Sequence, residues 1–340
     1  MMVARPLPIS SAPMAGGPST PALAKAVSAG GGLGFLAAGT ITAAQLAADL
    51  TSMAGHIYAV NVFAPQQSAP KQADLAHLGD LVADVYARYD QQVPAWPTPD
   101  LSNQWDAKLQ VILTAPTPPV AVSVTFGCFT SSEIERLHAA GIAAWVTVTN
   151  PRDAVHAREV GADALVVQGP EAGGHRGTWD ISAPADDRPL PELVRAVVNT
   201  VPQLPVIAAG GMTTAADVAD TLQLPGVQAV LIGSAFLLAT EAGTSAANRE
   251  ILHAHLGERG EVTVATRAFS GRIARGIKTA FSHQYPHIPP VYPYVNALLA
   301  PLRTMCAARG DTSVAYCLAG KNITQIHAAS AAEILASLTP

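Results

Sequence analysis

Only 13% of the 340 residues are charged, 20 basic against 25 acidic, and nowhere do lysine and arginine gather into a cluster. A net charge of -5 without a basic patch argues against nucleic acid or an anionic membrane as the main partner. Cysteine is also rare. Cys128, Cys306 and Cys317 are too few and too scattered for a disulfide framework or a zinc site, and they read as free thiols in a reducing compartment. No long unbroken apolar run is present. Residues 21–48 come nearest, but Gly30, Gly31, Gly32, Gly34 and Gly39 divide them into helix, turn and strand rather than a membrane span. The N-terminus lacks a charged region leading into a continuous apolar segment, so it does not read as a signal peptide, and the expected location is cytoplasmic. Neither a P-loop nor a Gly-x-Gly-x-x-Gly after a strand is found, which argues against a nucleoside triphosphate or a Rossmann-bound dinucleotide as ligand.

What the chain does have is a hydrophobic content of 49%, enough for a large core. Eight short apolar, strand-like runs fall at 9–14, 34–38, 57–63, 121–126, 143–149, 164–168, 205–209 and 229–232. Segments with helical spacing lie between them, at about 19–29, 42–53, 71–92, 131–140, 151–160, 190–200 and 214–223. Thr42, Ser132 and Thr213 stand where helices should start. Eightfold alternation predicts an α/β fold of the TIM-type (β/α)8 barrel class, although one miscounted strand would permit a doubly wound sheet. The expected barrel unit is 1–240. It carries a proline-rich insertion at about 64–119 with a short helix near 105–113. Residues 241–317 read as an additional, mostly helical lobe that takes the substrate, and 318–340 as a segment returning to the barrel.

The most informative stretch is Leu165 to Gly177. A buried strand ends at Gln168, a glycine-rich turn follows, and His175 stands on its far side among Gly173, Gly174 and Gly177. Residues just past the carboxyl ends of parallel strands are where α/β folds place chemistry. Histidine has the side-chain pKa nearest neutrality, which suits proton transfer, so His175 is the candidate catalytic residue. The other nine histidines read as solvated or hydrogen-bonded structural residues. Two further strand ends, Ala209-Gly210-Gly211 and Leu231-Ile232-Gly233-Ser234, fall where strands seven and eight of a barrel should be. The loops after those strands form the usual phosphate cradle of this fold.

Taken together, the chain resembles the nitronate monooxygenase family, the FMN-dependent enzymes formerly called 2-nitropropane dioxygenases. The resemblance rests on Ala12-Pro13-Met14-Ala15-Gly16-Gly17, Asn61-Val62-Phe63-Ala64-Pro65, Gln168 through Gly177, Ala208-Ala209-Gly210-Gly211 and Gly233-Ser234-Ala235-Phe236. Phe269-Ser270-Gly271-Arg272 and Ala274-Arg275-Gly276 are similar to a turn of that family. The resemblance implies that Ala12, Pro13 and Met14 flank the flavin ring and that Asn61 and Gln168 give it amide hydrogen bonds. Gly173 would let its loop close over the cofactor. Gly210, Gly211 and the backbone of Leu231, Ile232, Gly233 and Ser234 would hold the FMN phosphate. It implies that His175 is a base or polarising group acting on an alkyl nitronate, with O2 as co-substrate. Glu171 would either fix its loop or act directly. The family's Gln at position 231 is leucine here, and its late Trp-Ala-Gly-Gln is Leu318-Ala319-Gly320-Lys321. Two other readings stay open at this level. One is an NAD(P)H-dependent quinone or enoyl-acyl carrier protein reductase on the same scaffold, and the other a non-catalytic flavin-binding protein. The assembly reads as monomer or homodimer.

Overall fold

Parallel strands buried on both faces must be apolar throughout, and the eight runs behave so. In the computed structural model, which describes residues 5–66 and 69–340, they become β1 (Ile9–Ser11), β2 (Phe35–Ala37), β3 (Ala59–Phe63), β4 (Ala121–Thr125), β5 (Ala143–Val148), β6 (Ala164–Gln168), β8 (Val206–Ala209) and β9 (Val227–Ile232). A two-residue strand, β7 (Gly174–His175), falls between β6 and β8. Residues 1–4 of the expected barrel unit, and 67 and 68 of the insertion, lie outside the described residues. The eight strands form one sheet in the order β1-β9-β8-β6-β5-β4-β3-β2, every neighbouring pair parallel. The ring closes where Ser11 N donates to Leu33 O at 3.0 Å and Leu33 N to Ile9 O at 3.0 Å. The fold is a nearly closed TIM barrel.

Alternation within each strand decides what fills it. Outward residues such as Val60, Val62, Val122, Val124, Val146 and Leu165 join the large core under the helices. Inward positions are small (Ala59, Ala121, Ala143, Ala164), and the lumen is filled by Phe35 and Trp145, their rings 5.9 Å apart. Towards the carboxyl ends the inward residues turn polar: Asn61, Thr125, Thr147 and Gln168. That change of character puts the floor of a site at one end of the barrel.

The helices around it are α1 (Pro21–Ala29), α2 (Ala43–Ser52), α3 (Gln72–Ala87), α4 (Trp105–Leu113), α5 (Ser131–Ala139), α6 (Pro151–Val160), α7 (Leu190–Thr200) and α8 (Ala215–Leu222). Thr42 caps α2 as expected. Two starts differ from the sequence reading. The cap of α5 is Thr130, not Ser132, because Thr130 and Glu133 form a reciprocal capping box; likewise Thr214, not Thr213, pairs with Asp217 at α8. Such a cap contributes about 1 kcal/mol.

Beyond β9 come a 3-10 turn (Ser234–Leu238), α9 (Ala246–Ala254), β10 (Thr263–Thr266), β11 (Ala274–Ile277), α10 (Ala280–Gln284), α11 (Tyr294–Ala308) and α12 (Ala331–Leu338). The two short strands stand where the sequence predicts a mostly helical lobe. They pair antiparallel with each other, and β11 also pairs with β7, so a small sheet carries the His175 turn. Helix α3 of the insertion shares a second core with the late helices: Leu78, Val82 and Val85 meet Val295, Leu298 and Leu302. By contrast, α12 returns to the barrel's own core through Ile334, Leu335 and Leu338. No helix among the described residues is long and apolar enough to cross a membrane.

Candidate active site

A cavity of about 340 Å³ opens over the carboxyl ends of the strands. All of the expected site residues line it: Ala12, Pro13, Met14, Asn61, Gln168, Gly173, His175, Gly210, Gly211, Leu231, Ile232, Gly233 and Ser234. Its floor is a hydrogen-bonded ladder. Asn61, 2% exposed, donates from Nδ2 to Ser123 Oγ at 2.8 Å and to Thr125 Oγ1 at 3.0 Å, and Thr125 Oγ1 lies 3.2 Å from Thr147 Oγ1. The Asn61 amide nitrogen is thereby engaged within the barrel, which leaves Oδ1 as the acceptor it can offer a guest. Gln168 ties its own loop. Nε2 donates to His175 O at 3.0 Å, and Oε1 accepts from Gly177 N at 2.7 Å. Arg176 adds a bond from Nη1 to Gln168 O.

The same turn is held from the far end of the chain. Arg275 on β11 donates from Nε to Pro170 O at 2.9 Å. His175 Nε2 lies 2.7 Å from Ser270 Oγ, a fully buried hydroxyl. Tyr292 and Phe126 set their rings edge-on to the imidazole, with centroids at 5.3 and 6.0 Å. Burial in this sheath, with the charge of Arg272 nearby, pushes the His175 pKa down to about 3. The imidazole is therefore neutral at pH 7. Glu171 turns away from the cavity. Its Oε1 accepts from Leu190 N at 3.4 Å and its carbonyl from Lys321 N at 3.0 Å, so it fixes the loop.

The turns after β8 and β9 lie side by side in the wall. Gly210 and Gly211 both have left-handed backbones, at φ +127° and +77°, which only glycine adopts readily. The wall is completed by residues near the end of the chain: Gly320 N donates to Ser234 Oγ at 2.8 Å, and Asn322 Nδ2 to Gly211 O at 2.6 Å. This explains Gly173. A Cβ there would lie 2.5 Å from Gly320 N and 2.6 Å from Ala319 C. The glycine admits the C-terminal segment. On the opposite flank Ala12 N donates to Ile232 O at 2.7 Å, and Met14 N to Ser19 Oγ at 2.8 Å, which fixes the apolar Ala12–Met14 edge.

Comparison with known proteins agrees with this geometry. The family model described as nitronate monooxygenase matches residues 3–340. This chain belongs to the nitronate monooxygenase family. Among its relatives is the nitronate monooxygenase of Pseudomonas aeruginosa, 35% identical over 97% of this chain and 95% of the relative. That of Paraburkholderia phytofirmans is 34% identical over 97% and 91%. A solved structure of nitroalkane oxidase from Streptomyces ansochromogenes superposes with a TM-score of 0.88 at 35% identity, covering 98% of this chain and 95% of that one. FabK from Thermotoga maritima, at 22% identity and a TM-score of 0.68, shares the fold. Nitronate monooxygenases are oxidoreductases that depend on a flavin and act on small molecules.

Sequence reasoning left four neighbours of His175 without a role: Phe126, Ser270, Arg272 and Tyr292. Ser270 and Arg272 sit in a turn already noted for its family likeness, which was the available signal. Phe126 has φ +73°, a conformation rare for an aromatic residue, and no pattern in the sequence announces it.

Proposed function

We propose that this protein is an FMN-dependent nitronate monooxygenase, converting alkyl nitronates and O2 to carbonyl compounds and nitrite. One observation carries the reading: a neutral imidazole, fixed by Ser270, stands in the wall of a cavity whose other walls suit a flat ring and one phosphate. The residues present fit FMN. The paired glycine turns after β8 and β9 would take the phosphate. Gly210 and Gly211 need their left-handed backbones here, while a Cβ at Gly233 would only press on Ala12 at 3.3 Å. Ala12, Pro13 and Met14 would flank the ring, with Asn61 Oδ1 and the remaining N–H of Gln168 at its polar edge.

FMN, when bound, would supply the redox chemistry that links oxidation of the nitronate to reduction of O2. The chain's own groups position the substrate. A base with a pKa of about 3 has little driving force to take an α-proton from a neutral nitroalkane. His175 therefore acts as a hydrogen-bonding partner of the nitro oxygens of an anion that arrives already deprotonated. Phe126 and Tyr292 cover two sides of the imidazole with their rings. Three unpaired thiols suit a cytoplasmic setting.

The test is oxygen uptake and nitrite release with a small alkyl nitronate and no NAD(P)H, together with chromatography of the flavin freed by denaturation. FMN and nitrite are expected. Fast anaerobic bleaching by NADH without nitrite would replace this reading by a reductase, and recovery of FAD would refute the phosphate assignment.

A further inference from the structure

Arg272 is 3% exposed and forms no salt bridge among the described residues. Its Nη1 donates to Thr178 O at 2.6 Å, while Nε is buried without a partner. The guanidinium lies over the ring of Phe126 at 4.1 Å and over that of Tyr292 at 5.5 Å. Desolvating a cation costs several kcal/mol, and proteins normally offset this with a carboxylate. Here the Tyr292 phenol and, after it, Asp180 are the acids that bear on it, with Arg267 opposing, and Asp180 is the only carboxylate among them. The aromatic faces supply part of the compensation. Phe126 is one of them, and it accepts a left-handed backbone to stand where it does. Strain and an underpaired cation therefore occur at the same point, beside the cavity that Phe126 and His175 line.

We propose that Arg272, acting through the Phe126–Tyr292 sheath, is the specificity determinant by which this cavity selects monoanionic over neutral substrates. The proposal rests on the nitronate reading above and goes further, since it names the residue that separates a nitronate from its parent nitroalkane. The two differ by one proton and little else in shape, so apolar walls cannot tell them apart, whereas a fixed positive charge can. Both the guanidinium and the imidazole pack on Phe126, which puts them within about 10 Å of each other; at an effective dielectric constant of about 20, unit charges at that distance shift an equilibrium by roughly tenfold. Burial is the main reason the imidazole stays proton-free, and Arg272, the one charged group that acts on it, adds to that effect. One residue thus favours the anion and disfavours the protonated histidine. Positioned behind the ring and absent from the cavity lining, it is a positioning residue and does not touch the reacting atoms.

The test uses two probes on the flavin-loaded protein, followed by flavin absorbance without O2 and at a pH low enough to keep nitroethane in its acid form: nitrate, a planar monoanion, and neutral nitroethane. In Arg272→Met the nitrate dissociation constant should rise tenfold or more while that for nitroethane moves less than threefold. Arg272→Lys, which keeps the charge, should recover most of the nitrate affinity. In parallel, the His175 ring is titrated by NMR. It should stay neutral to below pH 4 in the wild type and titrate at a higher pH in Arg272→Met. Equal weakening of both probes, no weakening of nitrate, or a wild-type His175 that titrates near pH 6.5 would overturn the proposal. If Arg272→Met does not fold, the lysine variant and the wild-type titration decide it. Failure of the nitronate reading would show separately, as absence of nitrite from a wild-type protein that still prefers nitrate.

Discussion

Replacing Gly173 with alanine should cost more than replacing Gly174, although only Gly174 has a left-handed backbone. At Gly174, φ is +81° and an added Cβ meets nothing within 4 Å, so the cost is the backbone penalty alone, about 1–2 kcal/mol. At Gly173 the added Cβ would lie 2.5 Å from Gly320 N and 2.6 Å from Ala319 C, whereas carbon contacts settle at about 3.5–4.0 Å. Both clashing atoms are backbone, so no side chain can swing aside. Relief of about 1 Å has to come from moving the 318–322 segment, which is anchored by Gly320 N to Ser234 Oγ, Lys321 N to Glu171 O, and Asn322 Nδ2 to Gly211 O. Losing these three bonds at about 1 kcal/mol each costs on the order of 3 kcal/mol. At about 2 °C per kcal/mol for a chain of this size, Tm should fall by about 6 °C in Gly173→Ala and by about 3 °C in Gly174→Ala. Gly173→Ala should also lose flavin on gel filtration, because Gly211 and Ser234 lose their supports. Thermal unfolding of the two variants side by side is the assay. A Gly174→Ala protein that is the less stable of the two would refute the argument from close approach.

His175→Ala should keep its flavin and lower turnover on nitronate by roughly 10²–10³-fold, the usual effect of removing one hydrogen-bonding group from a developing charge; steady-state nitrite release checks it, and a change below threefold would remove His175 from the reaction. Ser270→Ala frees the imidazole to rotate, so turnover should fall by about fivefold with little change in KM, one hydrogen bond being worth about 1 kcal/mol. The pH dependence of stability follows from the same residue. His175 binds no proton in the folded protein until about pH 3, while in the unfolded chain it binds one near 6.5, so stability is full above 6.5 and falls as the pH drops from there towards 3. Urea midpoints at pH 7.5 and 4.5 should therefore differ more for the wild type than for His175→Asn.

Much of the barrel can be read from the chain because parallel strands buried on both faces leave short continuous apolar runs, and 164–168 begins and ends in the structure where it does in the sequence. Helix starts were legible to within two residues. Thr130 could have been preferred to Ser132 from the glutamate three positions later, whereas Thr213 and Thr214 both donate backbone N–H groups to Asp217 and differ only in geometry. The strands at 263–266 and 274–277 were hidden, since they are four residues long and carry Arg275 and Gly276 where an apolar pattern would be needed. His175 stood out from its glycines. Its environment did not, because Ser270 and Tyr292 lie 95 and more residues away and meet it only after folding.

The cavity wall contributed by residues 318–322 has a consequence for biosynthesis. All eight barrel strands exist once residue 232 has been made, yet the hydrogen bonds that brace the two glycine turns wait for Gly320 and Asn322. That interval is about ninety residues, roughly 5–20 seconds of translation. Throughout it a nascent barrel would display a half-walled, largely apolar hollow and could not retain a cofactor by these contacts. The walls of the cavity are thus finished only near the end of synthesis, and a chain stalled before residue 320 lacks the braces on both glycine turns.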